Sequence, residues 1–406
     1  MQHRATARSK LTESWAIKLP EKHKVGVVQN KGMQIHTLPL MSAAPGQSTS
    51  LQVLRFGAPD ASPKAYVQAA LHADEIPALL VAQALKRTLL KLEAKGQLIG
   101  QVVLVPYANP IGLAQMVQAQ HHGRFDLRDG VNFNRGFADL TDIAATALAG
   151  QLGSDAVENR RLVRAALCNA ASGLVASTPV QDLKNKLLRM AMESDIVLDL
   201  HCDAEAVMHV YGHTDQTPQA VLLGAFLGAR AVLMADDSGD SPFDECCSRP
   251  WAALQRRFAP HPLGASCFSS TVELRGEADV SHALAEQDAA ALIGFLATQG
   301  LLSATKDSVG IAPTPLCVAT PLACSEPLDA PHAGVVVFRK SVGDVVAPGD
   351  AIVDLIDIDS GAVTTMTCAS GGVLYARCSS RWATPGKRLA KIAGHTVMRT
   401  GKLLGA

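Results

Sequence analysis

The chain has 406 residues, of which 48% are hydrophobic and 18% charged, so it is a folded protein with room for one large domain and a smaller one, and disorder is set aside. Its 37 Lys and Arg balance 37 Asp and Glu without forming a basic stripe, which argues against a nucleic-acid partner. No apolar run approaches the length that crosses a bilayer, and the nine cysteines match neither a disulfide framework nor a zinc-ribbon spacing; they read as reduced thiols of a cytoplasmic protein.

The opening residues, MQHRATARSKLTESWAIKLPEKHK, are polar and lack the apolar centre of a signal peptide; about the first twenty read as an arm. From residue 24 to 300, short apolar strands such as 102–106 and 196–200 alternate with Ala/Leu-rich helical stretches such as 76–92 and 280–298. That alternation predicts an α/β domain whose sheet is covered by helices on both faces.

The stretch AYVQAALHADEIPALL (65–80) reads as a buried strand followed by a helix, with His72 and Glu75 at the junction. Loops at such junctions surround the crevice where open α/β sheets bind ligands. A His-x-x-Glu pair alone is more often a surface pair or a helix-start carboxylate than a metal site. A catalytic zinc takes three protein ligands and keeps an open position, so a second histidine is required. In ESDIVLDLHCDAEAVMHVYGH (193–213) a buried-strand pattern ends at His201, and a parallel neighbour of the first strand would bring both rings to one point. His209 and His213 are nearby competitors, which read first as ordinary hydrogen-bonded or solvated histidines.

Hydrolysis at such a centre also needs a base. SSTVELRGEADV (269–280) places Glu273 between Val272 and Leu274 in a strand-like run, where burial raises a carboxylate's pKa towards that use; the plainer expectation is a salt bridge with Arg275. Between these segments, GRFDLRDGVNFNRGF (123–137) is either a solvated turn-rich loop or a polar patch whose guanidinium groups grip a carboxylate or steady an oxyanion.

After a Pro/Ser/Thr-rich segment at 304–331, residues 334–406 are dense in Val, Ile and Gly and read as a small β domain. A weak repeat, APHAGVVVFRKSVGDVVAPGD (330–350) echoed by CASGGVLYARCSSRWATPGK (368–387), suggests two halves packed as a quasi-symmetric sandwich. The pattern resembles the barrel-sandwich fold of biotinyl and lipoyl domains, but residues 351–386 contain no lysine to carry either cofactor. The chain therefore divides at 312/313 into a catalytic and a β domain, the latter an appendage for structure or oligomerisation, or else a shaper of the active-site entrance.

His72-x-x-Glu75, NFNR (132–135), DLH ending at His201 and TVELR (271–275) occur in the order seen in zinc carboxypeptidases and their relatives. HADE, ANPIGL, DGVNFNRGF and DLHCDAEAVMH resemble most closely the succinylglutamate desuccinylase/aspartoacylase family, whose members carry a β domain after the catalytic one. The resemblance implies a mixed sheet flanked by helices and one Zn²⁺ held by His72, Glu75 and His201. It implies hydrolysis of an N-acyl amide in a small-molecule substrate, with Glu273 as general base. Asn134 and Arg135 match the pair that holds the substrate's carboxylate, with Arg128 a further substrate contact. The oxyanion arginine is Arg124 or Arg128, with Arg124 favoured because GRF opens the motif. Asp203 is a candidate to orient a ligand histidine. A metallocarboxypeptidase or an esterase would use the same groups. A non-catalytic binding protein would have lost a ligand or the base, and none is missing. Whether the chain forms a homo-oligomer stays open.

Overall fold

A computed structural model describes residues 26–30, 32–303 and 312–404. The expected N-terminal arm and residues 304–311 of the Pro/Ser/Thr-rich segment lie outside them.

The centre of the molecule is a ten-stranded mixed sheet. Across it the strands run Gly26–Asn30, Met33–Pro39, Ser50–Phe56, Gln101–Val105, Lys64–Ala69, Ile196–Asp203, Phe268–Gly276, His209–Gly212, Ala231–Met234 and Ala319–Pro321. The middle strands, Gln101–Val105, Lys64–Ala69, Ile196–Asp203 and Phe268–Gly276, are mutually parallel, and the first three strands attach antiparallel at one side. All five residues of Gln101–Val105 are buried, as expected where both faces of a parallel strand are covered.

One face is covered by helices Pro77–Ala94, Thr217–Leu227 and His282–Thr298, the other by Thr141–Leu148, Ala156–Ser172, Pro179–Met192 and Phe243–Arg257, giving two separate apolar cores. In the Pro77–Ala94 helix, Ala78, Val81, Ala82, Leu85 and Leu89 are buried at helical spacing, and Pro77 begins the helix where its missing N–H costs nothing. No helix among the described residues is long and apolar enough to cross a membrane.

The expected α/β architecture, a mixed sheet between helical layers followed by antiparallel strands, is what the structure has. Ala319–Pro321 is still the edge strand of the large sheet, and the small sheets begin at Ser325. Of these, one contains Gly334–Phe338, Ala351–Ile356, Val363–Thr367 and Trp382–Ala383, and the other Ser325–Asp329, Val345–Val346, Gly372–Arg377 and Arg388–Gly394. The repeat is visible in how they exchange strands. The first strand of each repeat pairs with the short second strand of the other, Val335 opposite Trp382 and Val345 opposite Val373. This unit is stitched to the large one through main chain: Glu205–Ala206 pairs antiparallel with Gly372–Arg377. Glu205 also holds Arg377 and Arg381, each at 2.6 Å.

Two loops over the parallel strand ends fit together closely. The Gly123 carbonyl accepts a hydrogen bond from Ala73 N–H at 3.0 Å. A Cβ at position 123 would lie 2.0 Å from Asp74 N and 2.5 Å from Ala73 C, both backbone atoms that cannot move aside singly. Gly123→Ala is therefore expected to force the loops apart and destabilise the protein by about 1–3 kcal/mol, read as a lower urea midpoint.

Candidate metal centre

After the Lys64–Ala69 strand the chain turns out of the sheet at Ala70, whose φ of 57° is left-handed and strained for a side chain with a Cβ. The turn is fixed at both ends: Ala70 N–H donates to the Leu200 carbonyl at 3.2 Å, and Asn109 Nδ2 donates to the Leu71 carbonyl at 2.9 Å. His72 and Glu75 follow, both buried. The neighbouring parallel strand carries His201 past Leu200, the partner of Ala69.

The two rings face one carboxylate. Glu75 Oε1 is 2.9 Å from His72 Nδ1, Glu75 Oε2 is 2.6 Å from His201 Nδ1, and Cys202 N–H donates to Oε2 at 3.1 Å. Ligand atoms of the three side chains all lie within 4.8 Å of one another. The outer nitrogens are engaged from behind. His72 Nε2 lies 3.0 Å from Asn132 Oδ1, and His201 Nε2 lies 2.9 Å from Asp199 Oδ2 and 3.3 Å from Asn134 Nδ2. Asp199 is in turn held by Gln68 Nε2 at 2.9 Å, and Gln68 Oε1 accepts from the Tyr66 hydroxyl at 2.8 Å. Two imidazoles anchored by one nitrogen and converging through the other on a carboxylate fit a metal that takes two nitrogens and one oxygen.

The electrostatics agree with a site built for positive charge. Burial alone would raise Glu75, but His201 and His72 hold its pKa below the usual carboxylate range. Burial likewise opposes charge on His201, yet Asp199 and Glu75 keep it well above an ordinary histidine. Burial, helped by Arg124, lowers His72.

Glu273 stands beside this cluster, in register with His201 on one side and His209 on the other. Burial first, then the Glu75 carboxylate, pushes its pKa up to about 8, and its Oε2 is buried without a hydrogen-bond partner. The expected salt bridge to Arg275 does not form. The strand is irregular after Glu273, Arg275 has a φ of 67°, and its guanidinium pairs instead with buried Asp288.

The Gly123–Phe137 segment folds back on itself, Phe125 bridging Asn132, and so sets Arg124 beside the NFNR stretch. Arg124 Nη1 lies 3.2 Å from His72 Nδ1 and 3.4 Å from Glu75 Oε1. Buried Lys184 holds the loop from below, donating to the Asn132 carbonyl at 2.9 Å and the Arg135 carbonyl at 2.6 Å. Arg124, Asn134 and Arg135 line one cavity with His72, Glu75, His201 and Glu273. Arg128 does not reach it; Asp126 holds its Nε at 3.0 Å and its Nη2 at 2.6 Å.

His209 and His213 stay outside the cluster. His209 is buried against Tyr211 and Tyr375 with Nδ1 2.8 Å from the Val207 carbonyl, and the His213 ring accepts from Asp215 N–H at 3.2 Å. Asp203, expected to orient a ligand histidine, pairs with Lys391 of the β unit; the carboxylate behind His201 is Asp199. The alternation in DLH already set Asp199 on the same strand face as His201, so this signal was available in the sequence. No comparable signal marked Lys391, or the cavity-lining acids Asp244 and Glu245. The cavity has a volume of about 290 Å³, and Leu322, Tyr375, Arg388, Lys391, Arg399 and Leu404 also line it.

Asp199→Ala is expected to weaken metal binding about 10–100-fold while the three donors remain, measured by competition with a chromogenic chelator.

A model of the succinylglutamate desuccinylase/aspartoacylase catalytic domain matches residues 61–298. Among solved structures, a succinylglutamate desuccinylase/aspartoacylase family protein from Shewanella amazonensis SB2B shares 26% identity over 88% of this chain and 98% of its own, with a TM-score of 0.78. A succinylglutamate desuccinylase/aspartoacylase from Shewanella frigidimarina NCIMB 400 shares 24% identity over 90% of this chain and 98% of its own, with a TM-score of 0.79, a likeness of fold. A search of curated proteins gives no match.

Proposed function

The chain belongs to the succinylglutamate desuccinylase/aspartoacylase family, whose members are hydrolases that remove acyl groups, and from that membership we propose that it is a zinc-dependent deacylase of a small N-acyl amino acid or related N-acyl amine. The observation that carries this reading is a base without a partner beside a complete donor set: Glu273 Oε2 is buried and unpaired in the cavity that holds His72, Glu75 and His201.

His72, Glu75 and His201 would hold the ion, through the Nδ1 atoms of both histidines and a carboxylate oxygen. A zinc bound there supplies Lewis acidity and lowers the pKa of water. Two histidines and one glutamate, with the rest of the coordination sphere facing a cavity, is a donor set of catalytic rather than structural zinc.

Placement supports the remaining roles in this reading. Glu273 takes a proton from the attacking water and passes it to the departing nitrogen; its raised pKa suits both halves of that exchange. Arg124, beside His72 and Glu75, steadies the oxyanion as the carbonyl carbon becomes tetrahedral. Arg135 and Asn134 hold a carboxylate of the substrate. Arg128, committed to Asp126 and away from the cavity, has no direct part. A cavity of about 290 Å³ with walls from both units suits a metabolite better than a peptide chain.

The test is amine release from N-acetyl, N-succinyl and longer N-acyl amino acids by zinc-loaded protein. Glu273→Gln is expected to lower kcat by several orders of magnitude with little change in zinc content. Cleavage of C-terminal residues from peptides, with the N-acyl panel untouched, would replace deacylase by carboxypeptidase.

The active form of the base is the carboxylate, so kcat/KM should rise with pH as Glu273 loses its proton. With an ion held by His72, Glu75 and His201, the acid limb would fall from the value of about 8 set by burial and the Glu75 carboxylate, so it should lie between there and the ordinary glutamate range. Glu273→Gln should abolish the limb, which a pH–rate profile reads directly.

A further inference from the structure

The strand that carries His201 runs short of sheet support at the ligand itself. On one side its pairing with Lys64–Ala69 ends at Leu200, where the neighbouring chain turns away at Ala70. On the other it keeps register with Phe268–Gly276 as far as Glu273 opposite His201, and the pairing is irregular from there to Gly276 opposite Asp203. His201, and Cys202 whose N–H holds Glu75 Oε2, therefore lie at the weakly paired end of the strand. A histidine free to move there would have to be ordered whenever an ion bound, and that ordering subtracts from affinity.

The stretch after Cys202 is held mainly from the β unit. Asp203 forms an ion pair with Lys391. Glu205 and Ala206 pair with Arg377 and Ala376, and Val207 N–H donates to the Tyr375 carbonyl at 2.9 Å. The Glu205 carboxylate accepts from Arg377 Nε and Arg381 Nη2, each at 2.6 Å, and both guanidinium groups pack over the Phe338 ring, 4.6 and 5.0 Å from its centre. The large unit adds one contact, Glu277 N–H donating to the Ala204 carbonyl at 3.1 Å. Within the β unit, the pairing of Gly372–Arg377 with Arg388–Gly394 shifts register between Leu374 and Ala376, opposite Lys391, an irregularity of the kind that re-aims side chains beside functional sites. Ala206, Tyr375 and Ala376 share one apolar cluster with Tyr211, Ala231 and Leu233 of the large sheet, so the contact is anchored in a core that both units build.

We infer that the β unit is a clamp on the metal centre, with Lys391 and Arg377 as positioning residues that fix the stretch after His201 and so set how tightly the three donors hold an ion. Neither residue has to touch the ion or a substrate for this. The inference rests on the metal-binding part of the proposed function and is independent of which bond is cleaved. Its effect has a sign that other roles do not share. Lys391 and Arg377 are cations, so removing either makes the surroundings more negative and, through the field alone, tightens the binding of a dication. Loss of position weakens it. Residues that only joined the two units would change stability and leave affinity alone.

The experiment strips the full-length protein of metal and measures its affinity for Zn²⁺ by competition with a chromogenic chelator, with the melting temperature of each metal-free protein recorded beside it. The proteins are wild type, Lys391→Met, Arg377→Gln and Leu167→Ala. Leu167 is buried in the helical layer, on the Ala156–Ser172 helix, and serves as a loss of stability that spares the clamp. Lys391→Met and Arg377→Gln are each expected to bind zinc about tenfold more weakly than wild type, the lower end of what outer partners of a metal ligand contribute. Leu167→Ala should melt lower and bind zinc as wild type does. Affinity unchanged or raised in both clamp variants would overturn the inference, and so would an equal loss of affinity in Leu167→Ala; the metal-binding reading survives either result. Absence of zinc binding in wild type removes that reading, and the clamp with it. If Lys391→Met does not fold, Arg377→Gln decides alone, because Arg377 lies outside the cavity lining.

Discussion

The parallel register of three adjacent strands governs the rest of this molecule. Ala69 lies opposite Leu200, and His201 opposite Glu273, so the loop after one strand, the end of the next and the end of the third converge. Convergence has a cost, because it buries Glu75 where a carboxylate is poorly solvated. Two imidazoles and the Cys202 N–H offset that cost. The backbone is also bent to fit: the left-handed residue Ala70 sits just before His72 and Glu75, and the left-handed residue Arg275 just after Glu273. Close contact of Gly123 with Ala73 and Asp74 then brings the arginine and asparagine loop within reach of the same point.

Much of this arrangement was legible in the sequence, for a definable reason. His72, Glu75 and His201 follow apolar runs that can only be buried strands, and where a strand stops its next residues enter the crevice. Glu273 stood out because a carboxylate inside an apolar run needs a cause. What failed were the assignments of partners. Arg275 was matched to Glu273 by closeness in sequence, but an irregularity in the strand hands it to Asp288, thirteen residues later on the following helix. Asp203 was matched to a ligand histidine for the same reason, whereas Lys391 reaches it from 188 residues further along the chain. Arg128 reads like Arg124 in sequence, and only the turn at Asp126 tells them apart.

The cavity-lining acids Asp244 and Glu245 were invisible for another reason. In FDECCSRP nothing separates a solvated first turn from one turned inward, since helix-dipole preference writes the same residues in both cases. What surrounds that turn comes from far along the chain: Leu403 and Leu404 donate to the Ser238 carbonyl just before the helix, and Leu404 lines the same cavity. The β unit shows the opposite behaviour. Its repeat was faint in the letters, yet the strand exchange between its halves gives it a plain structural meaning, each half completing the other's sheet.

The donors to the candidate ion all come from the large unit, while Tyr375, Arg388, Lys391 and Arg399 reach the cavity from the β unit. The donors and part of the cavity's lining are thereby encoded in different stretches of the sequence. Substitutions drifting through the later stretch, clear of Lys391, can reshape that part of the lining without touching the register that assembles the donors. Under the proposed function, such drift would change the diet of a lineage and spare its catalyst.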